Sequence, residues 1–379
     1  MIRVLHVLHA VSGGGITKWL VDILKHIDRT AFHFDFAVHT QRKSPYEEII
    51  RSFGSTIFLL PNRTSIFRYI SQFDRLLKTS DPYHVVHAHY HGFSVVPLLV
   101  AARNNVTVRI AHLHKDNPIG GEHGIIRWPF RVICRRLFFK YCTHGFACSS
   151  RAADIVWGKK WRADPRFCVV PYGVEFPGIH TDETREQILR LLGVKTSGLI
   201  FGHIGNFNWA KNHEFLLEVF RHILKRSPDS ALLLVGSGEK QNEIMNLARA
   251  YDLEPHIHFL GFRTDLWRIF RSMDVLIMPS RVEGFPLTVI QAQLAQVPVL
   301  ASHAVPPEAN FTGNVCYLSL HLPPSVWAEA ALELAQKPCR WPAVDSPDVR
   351  KFTLEENVRF LCSVYSGRPA QAQGVLGES

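Results

Sequence analysis

Short apolar runs recur along this chain, each followed by a turn and then by apolar positions at helical spacing. Ile2–Leu8 is the first such run; Ser12-Gly13-Gly14-Gly15 follows as a turn, and Ile16–Ile27 carries the helical pattern. Strand, glycine turn and helix in that order open a Rossmann-like unit. Phe34–Val38, Thr56–Leu60, His84–Ala88 and Val106–His112 predict further strands, with Pro45–Ser52 and Ile66–Lys78 as helices between them. Residues 174–187 break the pattern with Pro, Gly and charge, which predicts a linker. A second series follows. Leu199–Ile204, Ala231–Val235, Ile257–Phe259, Val275–Met278 and Pro298–Ala301 predict strands, and His213–Leu224 and Leu354–Tyr365 predict helices. Alternating strands and helices predict an α/β protein whose parallel sheets are covered on both faces. The expected organisation is two Rossmann-like domains, 1–175 and 176–351, with their sheets facing an inter-domain cleft. The polar, Gly-rich residues 367–379 are expected to form a flexible tail.

Composition narrows the class. Of 379 residues, 46% are hydrophobic and 20% charged, enough apolar material for two cores and unlike a disordered chain. No run approaches the roughly 18–20 apolar residues that span a bilayer, and the first residues lack the features of a signal peptide. Seven cysteines lie scattered without a CxxC pair, which argues against a zinc site or a disulfide framework and for a cytoplasmic, reduced protein. The formal charge of +10 is uneven: residues 1–175 hold 24 Lys+Arg against 12 Asp+Glu, while the remainder is near balance. A basic first half suits an anionic membrane, an acidic substrate or nucleic acid.

Several groups of residues have candidate chemistry. Gly14 and Gly15 precede a helix, where glycine lets backbone approach a ligand and the helix end favours negative charge. A tight turn without ligand is an equal reading, and the GxGxxG spacing of a dinucleotide site is absent. Asn206 and Lys211 flank a loop between a predicted strand and a helix, where a cation suits a diphosphate. The strongest signal is Pro279-Ser280-Arg281-Val282-Glu283-Gly284-Phe285-Pro286-Leu287-Thr288-Val289-Ile290-Gln291-Ala292. Glu283 falls in the turn, the N–H groups that follow start a helix, and Gln291 lies about two turns further on the same side. A carboxylate at the entrance suits sugar hydroxyls, and a polar side chain two turns in suits ribose. His84, His87, His89 and His91 alternate and so share a face, yet no fourth ligand at the usual spacing supports zinc. The milder reading makes His89 and His91 acceptor-side polar groups. Arg127, Arg131 and Arg135 recur at helical spacing within the aromatic-rich segment 125–141, which fits either an interfacial helix on an anionic leaflet or a core helix with a solvated basic stripe. Lys159, Lys160, Arg162 and Arg166 favour the former. No nucleic-acid-binding module accompanies the charge.

At this point a resemblance extends the reading. The segment 279–292 resembles the E-x7-E signature of retaining nucleotide-sugar glycosyltransferases of family 4, which have the GT-B fold. Val169-Val170-Pro171-Tyr172-Gly173-Val174, Leu234-Val235-Gly236-Ser237-Gly238 and Phe259-Leu260-Gly261 resemble further segments of that family, in the same order. The resemblance implies a metal-independent hexosyltransferase that needs no cofactor and takes a UDP- or GDP-sugar as donor. A glycan or lipid-linked acceptor is implied, with a place in surface polysaccharide or glycolipid synthesis at the inner face of the cell membrane. The first domain would bind acceptor and the second the donor, and a helix at about 352–366 would cross back onto the first.

The resemblance also implies roles. Gly14 and Gly15 would approach the donor phosphates or the acceptor. His114 would stand beside the transferring sugar, binding near C6 and placing the local backbone. Lys211 would bind the diphosphate, Glu283 the sugar hydroxyls, and the segment of Phe285, Pro286, Leu287 and Thr288, beside Gly284, the diphosphate again through the N–H groups it has. Gly261 and Arg263 would lie near the base. Two positions depart from the family: Asn206 stands where Arg is usual, and Gln291 where a second Glu is usual. Losing one leaving-group donor costs about 3 kcal/mol in the transition state. These departures keep a non-catalytic sugar-nucleotide-binding or scaffold protein open as an alternative. A nucleotide-sugar epimerase on the same fold is another, and the missing GxGxxG disfavours an NAD-dependent oxidoreductase.

Overall fold

The opening apolar run forms strand β1 (Ile2–Leu8), buried without a break from Val4 to Leu8. Strands covered on both faces read as continuous apolar runs, which is why this one was visible in the sequence. The structure is a computed structural model that describes residues 1–12, 14–40, 44–61, 65–114, 128–175, 183–337, 339, 341 and 346–368. It divides into two units, Met1–Glu175 with Arg350–Ser379, and Phe176–Val349.

In the first unit β1 is joined by β2 (Phe32–Val38), β3 (Ile57–Leu59), β4 (Val85–Ala88), β5 (Val108–Leu113), β6 (His144–Ala147) and β7 (Phe167–Val169). Among the described residues these form one parallel sheet of order β3-β2-β1-β4-β5-β6-β7. The second unit contains β8 (Ile200–Ile204), β9 (Ala231–Val235), β10 (Ile257–Gly261), β11 (Val275–Met278), β12 (Val299–Ser302) and β13 (Val315–Leu318). Its parallel order is β10-β9-β8-β11-β12-β13. Each sheet reverses direction once, between β1 and β4 and between β8 and β11. Such switch points open a crevice beyond the strand C-termini.

Three expectations are corrected. The segment expected as a linker to residue 187 already begins a helix, Arg185–Leu192, because Thr184 and Gln187 form a reciprocal capping box. Strands β6, β7 and β13 were not predicted. The helix Trp128–Tyr141 does not present Arg135 on a solvated stripe. Arg135 turns inward and donates to the carbonyls of Ile155 and Val156, closing the C-terminal end of the helix Ser150–Trp157. Arg127 and the Arg131 side chain lie outside the described residues, as does most of the expected tail. Among the described residues no helix is long and apolar enough to cross a membrane.

The helix Leu354–Tyr365 is part of the first unit, and one carboxamide secures it. Asn357 Oδ1 accepts from the Trp19 indole at 2.9 Å and from Gly173 N at 2.6 Å, while its Nδ2 donates to Pro171 O at 3.0 Å. Val174 and residues 352–354 exchange backbone hydrogen bonds beside it. Gly173 permits this approach, since a Cβ there would lie 2.5 Å from Thr353 O.

Beneath the helix Gly15–His26 the sheet buries a group of histidines. His6 of β1, His87 of β4 and His112 of β5 are inaccessible, and His89 and His114 nearly so. His6 and His87 are register partners, and the other three follow at alternate positions, so all five share one face. They bond in series. Tyr172 meets His114 Nδ1, His114 Nε2 meets His89 Nδ1 at 2.7 Å, and His89 Nε2 meets His6 Nδ1 at 3.1 Å. A second series runs from the Tyr365 hydroxyl to His87 at 2.8 Å and on to His112 at 3.2 Å. The sequence reading saw the alternation of His87 and His89 but not their partners, which the sheet order supplies. Burial holds these rings neutral: it lowers His6 and His112 to about 3 and puts His87 and His89 well below the ordinary imidazole value, neighbouring imidazoles adding to the shift in the last two.

Two predictions follow from this packing. Asn357→Leu strands two buried N–H groups and a carbonyl, each worth about 1–3 kcal/mol, so urea unfolding should show a loss of about 3 kcal/mol or more. The histidines make the fold acid-labile. Unfolded imidazoles take up protons near pH 6.5 while the buried rings do not, so stability falls as pH drops below that value and continues to fall toward the folded-state values. Four independent rings lose on the order of 5 kcal/mol between pH 7 and 5.5. A melting temperature that stays level over that range would contradict their neutral burial.

Candidate functional site

The crevice edge of the second sheet gathers four loops, one after each of β8, β9, β10 and β11. The loop after β8 passes Gly205 and Asn206 to reach Lys211 and then Asn212, whose left-handed backbone (φ 58°) turns the chain into the helix His213–Leu224. The loop after β9 approaches it closely. Gly236 has φ +139°, and a Cβ there would lie 2.1 Å from Gly205 O, so only glycine fits. Phe207 N donates to Ser237 O at 3.1 Å, joining the two loops.

The loop after β11 is tied to the same place. Asn212 Nδ2 donates to Pro279 O at 3.0 Å, and Arg281 N donates to Ala210 O at 2.7 Å. These bonds bring Lys211 Nζ to 2.6 Å from Glu283 Oε1, which also accepts from Ser280 Oγ at 2.5 Å. The Glu283 side chain is 8% exposed and that of Lys211 18%, so the pair is largely desolvated. The helix Leu287–Leu294 starts just beyond, with no acidic residue in its first turn and no side-chain cap. Its first N–H groups point toward the loop, as at any helix start, and suit an anion.

Two buried histidines lie behind the pair. His203 Nδ1 donates to Ile277 O at 2.8 Å, and burial lowers its pKa to about 4. His213 stacks on Phe207 at 4.2 Å, and burial lowers it to about 2, His203 and Lys211 adding to the shift. Both are therefore neutral, and neither was singled out in the sequence. The His213 position, at the first turn after a strand-loop, was the available signal.

Of the residues expected in the second unit, Lys211, Glu283, Gly284 and the segment Phe285–Thr288 come together, with Asn206 exposed at the end of β8. Gln291 is partly buried on the helix Leu287–Leu294; the fully buried amide is Gln293, which bonds Val289 O, Ala309 O and Thr312 and fixes that helix to the following loop. Gly261 has φ +65° at the end of β10. Arg263 makes a two-bond ion pair with Asp265, at 2.8 and 2.6 Å.

In the first unit, Gly14 caps the helix that Gly15 begins, and no acidic residue occupies the first turn. Gly13 lies outside the described residues. His91 starts a single 3₁₀ turn after β4 with φ 41°. His89 is not an open polar group beyond the strand as expected: both of its ring nitrogens bond other histidines. His114 has one nitrogen on His89 and the other on Tyr172. Among the described residues, His6, His87 and His89, and again His89, His112 and His114, each place a ring nitrogen within 4.8 Å of one another. Their mutual hydrogen bonds account for that proximity without an ion. All seven cysteines are free.

Comparison with known proteins agrees with this geometry. Residues 13–176 match the family model Glycosyltransferase Family 4, and residues 184–315 match Glycosyl transferases group 1. The chain is similar to the putative glycosyltransferase EpsF of Bacillus subtilis (strain 168), with 29% identity over 377 residues and 96% of each chain covered. It is 26% identical over 250 residues, 64% of this chain and 61% of the other, to the UDP-Gal:alpha-D-GlcNAc-diphosphoundecaprenol alpha-1,3-galactosyltransferase of Escherichia coli. Among solved structures, Anabaena Alr3699/HepE in complex with UDP superposes with a TM-score of 0.74 at 16% identity, covering 97% of this chain and 100% of that one. The two family models fall one on each unit, and together with the shared fold they make this chain a GT-B glycosyltransferase of the family 4 type.

Proposed function

We infer that this chain transfers a hexose-type sugar from UDP to a growing polysaccharide or a lipid-linked glycan, with retention of configuration. The observation that carries this reading is the desolvated Lys211–Glu283 pair beside a helix start. In the empty site the two charges neutralise each other. A diphosphate draws Lys211 away from the carboxylate, and the sugar hydroxyls then satisfy Glu283, which Ser280 keeps in place. Ground-state contacts are thereby exchanged for contacts to the donor. Lys211 and the N–H groups of Phe285, Leu287 and Thr288 stabilise the charge that builds on the departing diphosphate, a role that needs no metal. Gln291 and the Gly261–Arg263 turn serve the nucleoside, and Asn206 supplies a neutral donor where the family usually supplies a cation. Gly14, Gly15, His91 and His114 serve the sugar and the acceptor from the first unit. Incoming acceptor attacks from the face that the diphosphate leaves, which preserves the anomeric configuration.

The choice of UDP draws support from the relatives: the galactosyltransferase is named for UDP-Gal, and HepE has been solved with UDP and with UDP-glucose. The choice of acceptor draws on the diphosphoundecaprenol-linked acceptor of the same galactosyltransferase and on the capsular polysaccharide glycosyltransferase CapH of Staphylococcus aureus, 22% identical over 342 residues. A second reading, binding without turnover, is favoured by Asn206 and Gln291 alone.

Thermal-shift measurements against UDP, GDP, ADP and CMP test the donor. UDP should raise the melting temperature with its concentration, by the equivalent of about 2.7 kcal/mol at a hundredfold excess over Kd. No shift with any nucleotide would remove the donor site from this reading. Glu283→Gln keeps the volume of the side chain and should lower transfer by roughly 10²–10³-fold with the fold intact; undiminished transfer would exclude Glu283 from the reaction. Shift with UDP but no transfer, in the native chain and in Asn206→Arg with Gln291→Glu, is the outcome that would establish binding without turnover.

A further inference from the structure

His114 has both ring nitrogens committed inside the first unit, to Tyr172 and to His89, and His89 is committed in turn to His6. A neutral imidazole carries one N–H and one lone pair. Along such a column every ring must donate in the same direction as the next, so the three rings share one polarity and each is confined to one tautomer. The rings are also held in plane: His89 and His114 are tilted by 26°, and His114 and Tyr172 by 6°. Trp19 packs against Tyr172 edge-on at 5.3 Å, and its indole is fixed by Asn357. The column ends at His6 Nε2, a buried atom with no hydrogen-bond partner among the described residues. A core selected for stability alone would fill these positions with apolar side chains and leave no such atom. End-to-end bonding that passes through His114, where β5 leaves the sheet, and ends on Tyr172 serves orientation instead.

We propose that His89, backed by His6, is a positioning residue that holds the His114 ring in one tautomer and so fixes the exit of β5 for transfer. This rests on the reading in which His114 stands beside the sugar. His89 touches no substrate and acts through His114. The contribution of His114 passes through the backbone its ring anchors, because its nitrogens are occupied.

Two substitutions at one position separate orientation from packing. An Asn amide ends three bonds from Cα, as Nδ1 does, and a Gln amide four, as Nε2 does. His89→Asn therefore keeps the bond to His114 and gives up His6; His89→Gln keeps His6 and abandons His114. A packing role ranks them the other way, since Gln fills more of the imidazole's volume. The measurements are ¹⁵N-histidine side-chain NMR of the full chain, kcat and KM with a UDP-sugar, and the melting temperature. His114 should show one neutral tautomer in the native chain and in His89→Asn, and a mixture in His89→Gln. For His89→Gln, kcat should fall about 100-fold, the cost of a small misplacement, with KM shifting by less than about threefold. His89→Asn should recover most of that loss. An unchanged His114 tautomer in His89→Gln overturns the proposal, as does a loss of kcat in both variants that follows only their melting temperatures. If His89→Gln does not fold, His89→Leu, which fills the position without any bond to His114, should release the same tautomer. A native chain that turns over no UDP-sugar defeats the donor reading instead, and the NMR result then decides the column by itself.

Discussion

The ion pair between Lys211 and Glu283 is the constraint around which the second unit's site is arranged. A carboxylate this far from solvent needs a cation, and removing the partner of a buried charge costs about 3–5 kcal/mol. The two residues are 72 positions apart, and only the sheet order brings them together. Strands β8 and β11 are neighbours at the reversal of the sheet, so the loops that leave them are adjacent. Asn212 and Arg281 then bind each loop to the other, and Gly236 lets the loop after β9 close against both. Breaking the pair is affordable only for a ligand that gives both partners something in return. An anion for the lysine and a hydroxyl for the glutamate fulfil that condition together, and a nucleotide sugar carries both.

The first unit has the same sheet reversal, between β1 and β4, and treats buried polarity differently. Beside the buried Arg3–Asp35 ion pair, its polar core holds a set of neutral imidazoles. Neutral rings escape the desolvation penalty of ions but can satisfy one another only in directed series. Direction is what such a series supplies. It also ties distant parts of the chain, since Tyr365 of the returning helix and Tyr172 before the second unit terminate the two series. The returning helix is thus joined to the sheet at His87 and His112, beside the series that runs through His114.

Much of this architecture was visible in the sequence because buried parallel strands read as apolar runs. Ala231–Val235 and Val275–Met278 were found with their limits unchanged, as was the helix Leu354–Tyr365. The short strands β6, β7 and β13, at one end of each sheet, were not read from the sequence. The start of the helix at Arg185 was missed although Thr184 and Gln187 announce it, because the Pro and Gly before them dominated the reading. Arg135 shows the limit of helical spacing: regular arginines predict a common face, and packing against the next helix end decided its direction. The loop residues Lys211 and Glu283 were legible from type and place. The histidine series was not, because its members come from three strands whose adjacency is a property of the sheet.

The two departures from the family pattern are connected by charge. The usual pattern sets an arginine and a lysine against two glutamates; this chain sets Lys211 against Glu283, with Asn206 and Gln291 both neutral. Losing the arginine alone would leave the empty site with an excess of negative charge, and losing the second glutamate alone would leave an excess of positive charge. Losing both keeps the formal balance at zero around the largely desolvated Lys211–Glu283 pair, with Asn206 itself exposed. Independent decay gives no reason for the two changes to offset each other. The pair that remains is the one whose geometry the surrounding loops hold.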